Sequence, residues 1–295
     1  MAVSQLKFGK ANRPGNGKII LHGTKGIAML KRFFTALIII PLVALVLRFG
    51  PPYSIFLLVA ATVVLGMHEF YAMTLTKGWT GGKISGIVLG VILCGLFQWA
   101  TMHVIMLFLV VIIVAFFFGY AVSSRELAAL PNRMGIILFG ILYIPFLLSY
   151  LILINKVPQG VLWIFLLFAT VWVGDTFAFL IGSWWGRHKL SPQISPHKTI
   201  EGFFACFVGA ILTVFVFRSL FLPTLLVTDA LLVAGGIALF GQWGDLAESM
   251  IKRGAKVKDS GTLIPGHGGM LDRLDSFFFA TPFLYYFLLY KLSAG

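Results

Sequence analysis

A polar segment in the C-terminal part of the chain combines acids, bases and glycines between long apolar runs. It extends from Gln242 to Ser276 with the sequence QWGDLAESMIKRGAKVKDSGTLIPGHGGMLDRLDS. The segment contains five of the ten carboxylates of the chain and five of its 23 lysine and arginine residues. Carboxylates bind hard divalent cations, whereas basic side chains and glycine-rich backbone bind phosphate. The composition therefore indicates metal and phosphate chemistry.

The first part of this segment has the spacing of one helix face. Asp245, Glu248, Ser249 and Lys252 stand at positions i, i+3, i+4 and i+7, so a continuous helix brings them to one side. Their carboxylate and hydroxyl oxygens suit Mg²⁺. A solvated amphipathic helix would have similar spacing. However, Asp245 closely follows an apolar run and is expected near the membrane boundary, which weakens that interpretation.

The second part has a glycine-rich stretch followed by paired acids. Gly268 and Gly269 follow His267, so the backbone can approach a ligand closely and direct N–H groups at anionic oxygen. Asp272 and Asp275 are three positions apart and are expected to face the same way on a helix. Such a sequence is poorly suited to core packing, and we favour a catalytic role for it.

Basic residues accompany both parts. The cluster of Lys252, Arg253, Lys256 and Lys258 spans seven positions, and Arg273 follows Asp272 directly. The conservative interpretation is the positive charge of a cytoplasmic loop. The functional interpretation is neutralisation of a polyphosphate.

Two earlier motifs could contribute to the same site. Asp175 stands late in an apolar run, where an unpartnered carboxylate is costly, so a cation or basic group is expected nearby. The stretch SPHKTIEG begins at Ser195 and offers Lys198 and Thr199 as phosphate ligands. Helix capping by Ser195 or Thr199, with Glu201 in the first turn, is the competing interpretation, and this stretch taken alone favours capping.

The composition is that of a membrane protein. Of the 295 residues, 59% are hydrophobic and 11% are charged, whereas soluble proteins average about 25% charged residues. Helices are the default way to satisfy backbone polar groups in a bilayer. The net charge of +13 is better explained by lipid-facing loops than by nucleic acid. The His and Cys residues lack the spacing of a zinc site.

Nine apolar runs are candidate membrane spans, and the lysine and arginine distribution predicts their orientation. They are approximately 33–48, 53–75, 84–100, 103–122, 135–155, 161–183, 203–221, 225–243 and 276–292. With the N-terminus in the cytoplasm, nineteen of the 23 basic residues fall on the cytoplasmic side. Both motif-bearing loops then lie on that side.

This pattern divides the chain into three regions. We expect a basic cytoplasmic tail (1–32), N-terminal transmembrane helices (33–155) and C-terminal catalytic helices and loops (156–295). Within the second run, His68 and Glu69 are polar residues at membrane depth. Either a functional role or a helix–helix hydrogen bond is compatible with the sequence there.

The segment 249–276 resembles the signature of the phosphatidate cytidylyltransferases, also called CDP-diacylglycerol synthases. The signature S-x-x-K-R-x4-K-D-x-G-x-x-x-P-G-H-G-G-x-x-D-R-x-D is filled at every fixed position. The resemblance extends to GDTFAFLIG (174–182), SPHKTIEG (195–202) and QWGDLAES (242–249). His197 and Trp243 depart from the usual residues, but neither is an expected ligand.

The resemblance implies an all-α polytopic membrane enzyme that makes CDP-diacylglycerol and pyrophosphate from CTP and phosphatidic acid. It implies Mg²⁺, with potassium as a possible second cation, a homodimer and a multi-pass protein of the bacterial inner membrane. Metal binding is expected from Asp245 and Asp272, with Asp275 and Asp175 nearby. The remaining expected catalytic or ligand-binding residues are Lys252, Arg253, Lys198, Thr199, Ser249, Lys258, His267, Gly268, Gly269 and Arg273.

Two other functions are compatible with parts of the sequence. A cation-coupled transporter also uses intramembrane acids and broken helices. Transporters often have repeated halves, however, and here the polar motifs occur in the second half alone. An inactive homologue would be indicated by a missing acid, and every expected acid is present.

Overall fold

The chain forms a bundle of long apolar helices. The computed structural model describes residues 45–46, 48–51, 53–75, 80–123, 127–261 and 268–294. Nine α-helices are present in these residues: α1 (Ser54–Thr74), α2 (Thr80–Trp99), α3 (Met102–Ser123), α4 (Leu130–Ile141), α5 (Tyr150–Lys156), α6 (Gly160–Trp184), α7 (Ile200–Leu220), α8 (Val227–Gly254) and α9 (Leu271–Ala294). A π-helical turn at Leu142–Phe146, which contains Pro145, lies between α4 and α5. This arrangement confirms that the fold is mostly helical, as predicted.

Seven stretches of helix in the described residues are long and apolar enough to cross a membrane. They are Ser54–Thr74, Gly81–Trp99, Met102–Gly119, Pro131–Lys156, Gly160–Trp184, Ile200–Leu220 and Val227–Gly254. Each overlaps one predicted span. The predicted span 276–292 lies inside α9, which does not meet the same criterion, and 33–48 lies almost wholly outside the described residues. Seven spans are therefore supported, while the count of nine and the orientation stay predictions.

Helices α6, α7, α8 and α9 pack together and form the part of the bundle that carries the motifs. Helices α8 and α9 run antiparallel, and an ion pair joins them at each end. Asp229 at the start of α8 contacts Lys291 at the end of α9, with 2.8 Å between Oδ2 and Nζ. At the opposite end, Lys252 of α8 contacts Asp272 of α9 at 2.6 Å.

Close approach of α8 and α9 depends on glycine. A Cβ atom at Gly244 would overlap the backbone carbonyl of Asp275, and one at Gly236 would overlap the ring of Phe283. These glycines let two backbones meet where side chains would otherwise separate them. The carboxylates of α9 are thereby held against the polar face of α8.

A short hairpin between α6 and α7 corrects the all-helical prediction. Strand β1 (Lys189–Ser191) pairs antiparallel with β2 (Ser195–Thr199). The second strand leads directly into α7, where the Thr199 hydroxyl accepts a hydrogen bond from the Gly202 N–H at 3.1 Å. The capping interpretation of Thr199 is confirmed.

Candidate active site

Lys252 links a carboxylate of α8 to a carboxylate of α9. Its ammonium is 2.6 Å from Glu248 Oε2, one helical turn earlier, and 2.6 Å from Asp272 Oδ1. The side chains of all three residues are largely buried, and Glu248 is fully buried. The predicted helix face is therefore present. Through Lys252, this helix face also contacts Asp272 in the second part of the polar segment.

Asp272 is held by the loop that precedes α9 as well as by Lys252. Its Oδ2 accepts hydrogen bonds from the Ser260 N–H at 3.0 Å, the Gly269 N–H at 2.9 Å and the Ser260 hydroxyl at 3.1 Å. Burial by itself raises the pKa of Asp272, but the Lys252 ammonium and the backbone donors outweigh it. The pKa therefore lies below its usual range, and the carboxyl group is ionised at neutral pH.

Glycine is required in this loop at Gly268. The residue has a φ of 81°, in the left-handed region that side chains rarely adopt. A Cβ atom there would also lie 2.8 Å from Asp272 Oδ2. The backbone at this loop approaches the Asp272 carboxylate closely. Its approach to a bound anionic ligand stays a prediction.

A second ion pair brings the hairpin motif to α8. Lys198 at the end of β2 contacts Asp245, with 2.7 Å between Nζ and Oδ2, and both side chains are largely shielded from solvent. The Ser249 hydroxyl donates to Asp245 Oδ1 at 3.4 Å. Two stretches that are nearly fifty residues apart in sequence therefore meet through opposite charges.

The acids of three helices converge behind these pairs. Asp175 of α6 accepts a hydrogen bond from Gln242 Nε2 of α8 at 3.3 Å. Asp275 of α9 lies close enough to Asp245, Glu248 and Asp175 for their charges to interact. Such a concentration of carboxylates is unfavourable unless cations neutralise it.

Comparisons with known proteins identify the family. The model of the cytidylyltransferase family matches residues 30–291. This chain belongs to the cytidylyltransferase family. Phosphatidate cytidylyltransferase from Bacillus subtilis (strain 168) is 40% identical over 158 residues, which is 53% of this chain and 59% of that protein. A protein of the same name from Synechocystis is 48% identical over 139 residues, or 46% of each chain.

A third relative, also named phosphatidate cytidylyltransferase, comes from Staphylococcus epidermidis. It is 47% identical over 126 residues, which is 43% of this chain and 48% of the relative. This chain spans about half the length of the curated relatives it matches. The family resemblance predicted from the motifs is confirmed.

The chemistry of the donor set at this site fits a hard divalent cation. Asp175, Asp245, Glu248, Asp272 and Asp275 offer oxygen ligands, which Mg²⁺ prefers. Glu248 Oε1 is buried and receives no hydrogen bond from the part of the chain that the structure describes. Within the same residues, no three acidic, His or Cys side chains surround one metal position. The lysine ammonium groups neutralise the carboxylates in this arrangement.

The remaining residues predicted to bind phosphate are Arg253, Lys258, Arg273 and His267. Arg253 turns away from the acids and donates to the Ile194 carbonyl at 3.2 Å and the Val257 carbonyl at 3.4 Å, so it holds the hairpin turn. Lys258 and Arg273 are exposed. His267 lies outside the described residues. The phosphate-binding roles assigned to these residues stay predictions.

Glu69 belongs to the network although the sequence did not assign it to the site. It is 5% exposed on α1, and its carboxylate accepts hydrogen bonds from the loop before α9. The feature of the sequence that pointed to Glu69 was an acidic residue inside an apolar run. That signal indicated a polar contact but did not identify the partner.

Proposed function

We propose that this protein is a phosphatidate cytidylyltransferase, which converts CTP and phosphatidic acid to CDP-diacylglycerol and pyrophosphate. The observation that carries the proposal is the pairing of Lys252 with Asp272 and of Lys198 with Asp245. These pairs join the hairpin, α8 and α9 into one site that contains both carboxylates and ammonium groups. Family membership and the names of the relatives support the same activity.

The chemistry requires charge neutralisation and alignment more than a strong base. Phosphatidate carries a nucleophilic phosphate oxygen near neutral pH. That oxygen forms a bond to the α-phosphorus of CTP, the bond from this phosphorus to the oxygen bridging to the β-phosphate breaks, and pyrophosphate leaves with the electron pair. Positioned cationic groups stabilise the charge that develops during the transfer.

The basic residues divide this work by position. Lys198 and Lys252 lie inside the site and contact carboxylates, so they are suited to bind phosphate oxygens close to the reacting atoms. The exposed cations Lys258 and Arg273 are suited to bind the outer phosphates of CTP. Arg253 would keep the hairpin turn in place against the C-terminal end of α8.

The carboxylates would hold Mg²⁺. Asp245 and Asp272 are the main candidates, with Asp275 and Asp175 close to them, and a potassium ion is a candidate for the second cation. Bound Mg²⁺ would neutralise phosphate charge and orient the two substrates. Asp245 and Asp272 come from different helices, so cation binding would also strengthen the contact between α8 and α9.

An apolar groove on the same helix pair supports a lipid substrate. The cavity has a volume of about 980 Å³ and is lined by mostly apolar side chains of α7, α8 and α9, together with Leu147. Trp243 at one end of the lining precedes Asp245 by two residues. A phosphatidate molecule could therefore place acyl chain along the groove with its phosphate at the carboxylates.

The proposed orientation puts this site on the cytoplasmic side of a bacterial inner membrane. The distribution of lysine and arginine supports it, and CTP would then reach the site from the cytoplasm. A homodimer is part of the proposal on the basis of the family resemblance.

The test is product formation by purified protein in detergent. We expect CDP-diacylglycerol from phosphatidic acid and labelled CTP in the presence of Mg²⁺, and none after EDTA treatment. Restoring Mg²⁺ after EDTA should restore the product, which controls for damage by the chelator. Folded protein that binds CTP without forming product in several lipids would instead indicate an inactive homologue. Absence of CTP binding would favour a transporter.

A further inference from the structure

We propose that Glu69 of α1 is a positioning residue that sets the orientation of Asp272 through the loop before α9. The inference rests on the proposed function, because its catalytic consequence requires turnover at this site. Its structural basis is independent of the activity. A residue from the N-terminal half of the chain would thereby take part in building a site whose motifs all lie in the C-terminal half.

Within the described residues, the hydrogen bonds of the Glu69 carboxylate go to the segment that surrounds Asp272. Its Oε1 accepts from the Met270 N–H at 3.0 Å. Its Oε2 accepts from the Leu271 N–H and from the Ser260 hydroxyl, each at 3.0 Å. These partners are 191 to 202 positions away in sequence. The carboxylate is therefore a tertiary connection between α1 and both ends of the loop.

The position of the carboxylate matches the electrostatics of a helix start. The first N–H groups of a helix have no partner within the helix and carry partial positive charge. Glu69 satisfies one N–H at the first residue of α9 and one just before it. Because Glu69 is buried, its charge depends on these hydrogen bonds to offset the cost of desolvation. The carboxylate and the N–H groups at the start of α9 therefore each require these hydrogen bonds.

The loop backbone fits closely around Glu69. A Cβ atom at Gly261 would lie 2.7 Å from Oε1, and one at Gly269 would overlap Oε2. Glycine at these positions lets the backbone come within hydrogen-bonding reach of the carboxylate. Gly269 also donates its N–H to Asp272 at 2.9 Å. The contact with Glu69 and the support of Asp272 therefore share one peptide segment.

The Ser260 side chain connects the two acids directly. Its hydroxyl is 3.0 Å from Glu69 Oε2 and 3.1 Å from Asp272 Oδ2. A hydroxyl has one hydrogen to donate, so Ser260 serves one carboxylate at a time. Without Glu69, the Ser260 hydroxyl and the N–H groups of Met270 and Leu271 would lose their acceptor. The segment around Asp272 would then rearrange.

Glu69→Gln is the informative substitution because it keeps the size of the side chain. The amide offers one carbonyl oxygen, whereas Met270 and Leu271 donate to different oxygens of Glu69. One of these N–H groups would face an NH₂ group. Glu69→Asp keeps the charge on a shorter side chain and tests for partial rescue. Asp229→Asn is the matched control, because it removes a buried carboxylate that pairs with the other end of α9.

The expected result is a fall in kcat of about 10–100-fold for Glu69→Gln, as for other residues that orient a ligand. The KM for phosphatidate should change little, because its acyl chains would bind elsewhere. Glu69→Asp should retain more activity than Glu69→Gln. Asp229→Asn should keep the wild-type kcat per folded molecule, even where it lowers the thermal stability as much as Glu69→Gln does.

Hydrogen exchange gives a readout that does not depend on turnover. We expect faster amide exchange at residues 258–261 and 268–272 in Glu69→Gln, and wild-type exchange there in Asp229→Asn. Wild-type exchange in Glu69→Gln, or a kcat loss no larger than that of the control, would overturn the inference. If Glu69→Gln does not fold, Ser260→Ala tests the shared donor by the same exchange measurement. An inactive wild-type protein would contradict the proposed function, while the exchange result would still decide the role of Glu69.

Discussion

Asp272→Asn should remove activity from a protein that remains folded. In the native protein Asp272 accepts one bond from Lys252 on Oδ1 and two from the Ser260 and Gly269 N–H groups on Oδ2, and it shares the Ser260 hydroxyl with Glu69. An asparagine with its carbonyl oxygen toward the loop keeps an acceptor for the loop donors. Its NH₂ group then faces the Lys252 ammonium, which keeps Glu248 as its partner. The substitution therefore removes mainly one charge-assisted hydrogen bond.

The cost in stability follows from that single bond. A hydrogen bond to a charged group contributes about 1.5–3 kcal/mol, and the remaining Glu248 partner favours the lower part of this range. In a chain of 295 residues, a loss of about 2 kcal/mol lowers the melting temperature by about 3 °C. The effect on turnover is larger, because Asn lacks the charge required of a cation ligand. We expect a loss of at least about 100-fold.

The assay compares product formed per folded molecule with the melting temperature measured in the same detergent. Asp229→Asn is again the control, since it breaks the ion pair at the opposite end of the α8–α9 pair. It should melt at a lower temperature and remain active. Near-normal turnover by Asp272→Asn, with unchanged Mg²⁺ dependence, would refute the role of Asp272 as a metal ligand.

Two further substitutions test other parts of the site. Lys198→Met should lower kcat/KM for CTP by about 10–100-fold, because Asp245 loses its ion pair and a phosphate ligand is removed. Initial rates at varied CTP concentration measure kcat/KM. An unchanged kcat/KM would exclude Lys198 from the site. Gly269→Ala should reduce activity strongly because its Cβ would overlap Glu69, whereas Gly254→Ala, with open space around its Cβ, should not. Equal activity of these two alanine variants would contradict the close packing of the loop.

The helices and the polar face of α8 could be predicted from the sequence because they follow local rules. Apolar runs long enough to cross a bilayer predicted the seven supported spans. The spacing of Glu248 and Lys252 predicted that they share a helix face, and the structure confirms it with an ion pair at 2.6 Å. Such regularities depend only on neighbours within about two turns of helix.

The pairing between segments could not be predicted in the same way. The hairpin strands have three and five residues, too few for an alternating pattern, and the second contains proline, which is uncommon in strands. That Lys198 contacts Asp245 depends on how the hairpin folds back onto α8. The contacts of Glu69 with the loop before α9 span about 200 positions. No local pattern specifies a partner at that distance.

Simultaneous measurement of both products tests the central claim most directly. Wild-type protein is incubated with CTP, phosphatidic acid and Mg²⁺, and CDP-diacylglycerol and pyrophosphate are quantified in the same reaction. We predict equal amounts of the two products from the wild type and neither from Asp272→Asn. Pyrophosphate without CDP-diacylglycerol, or equal product formation by both proteins, would contradict cytidylyl transfer at this site.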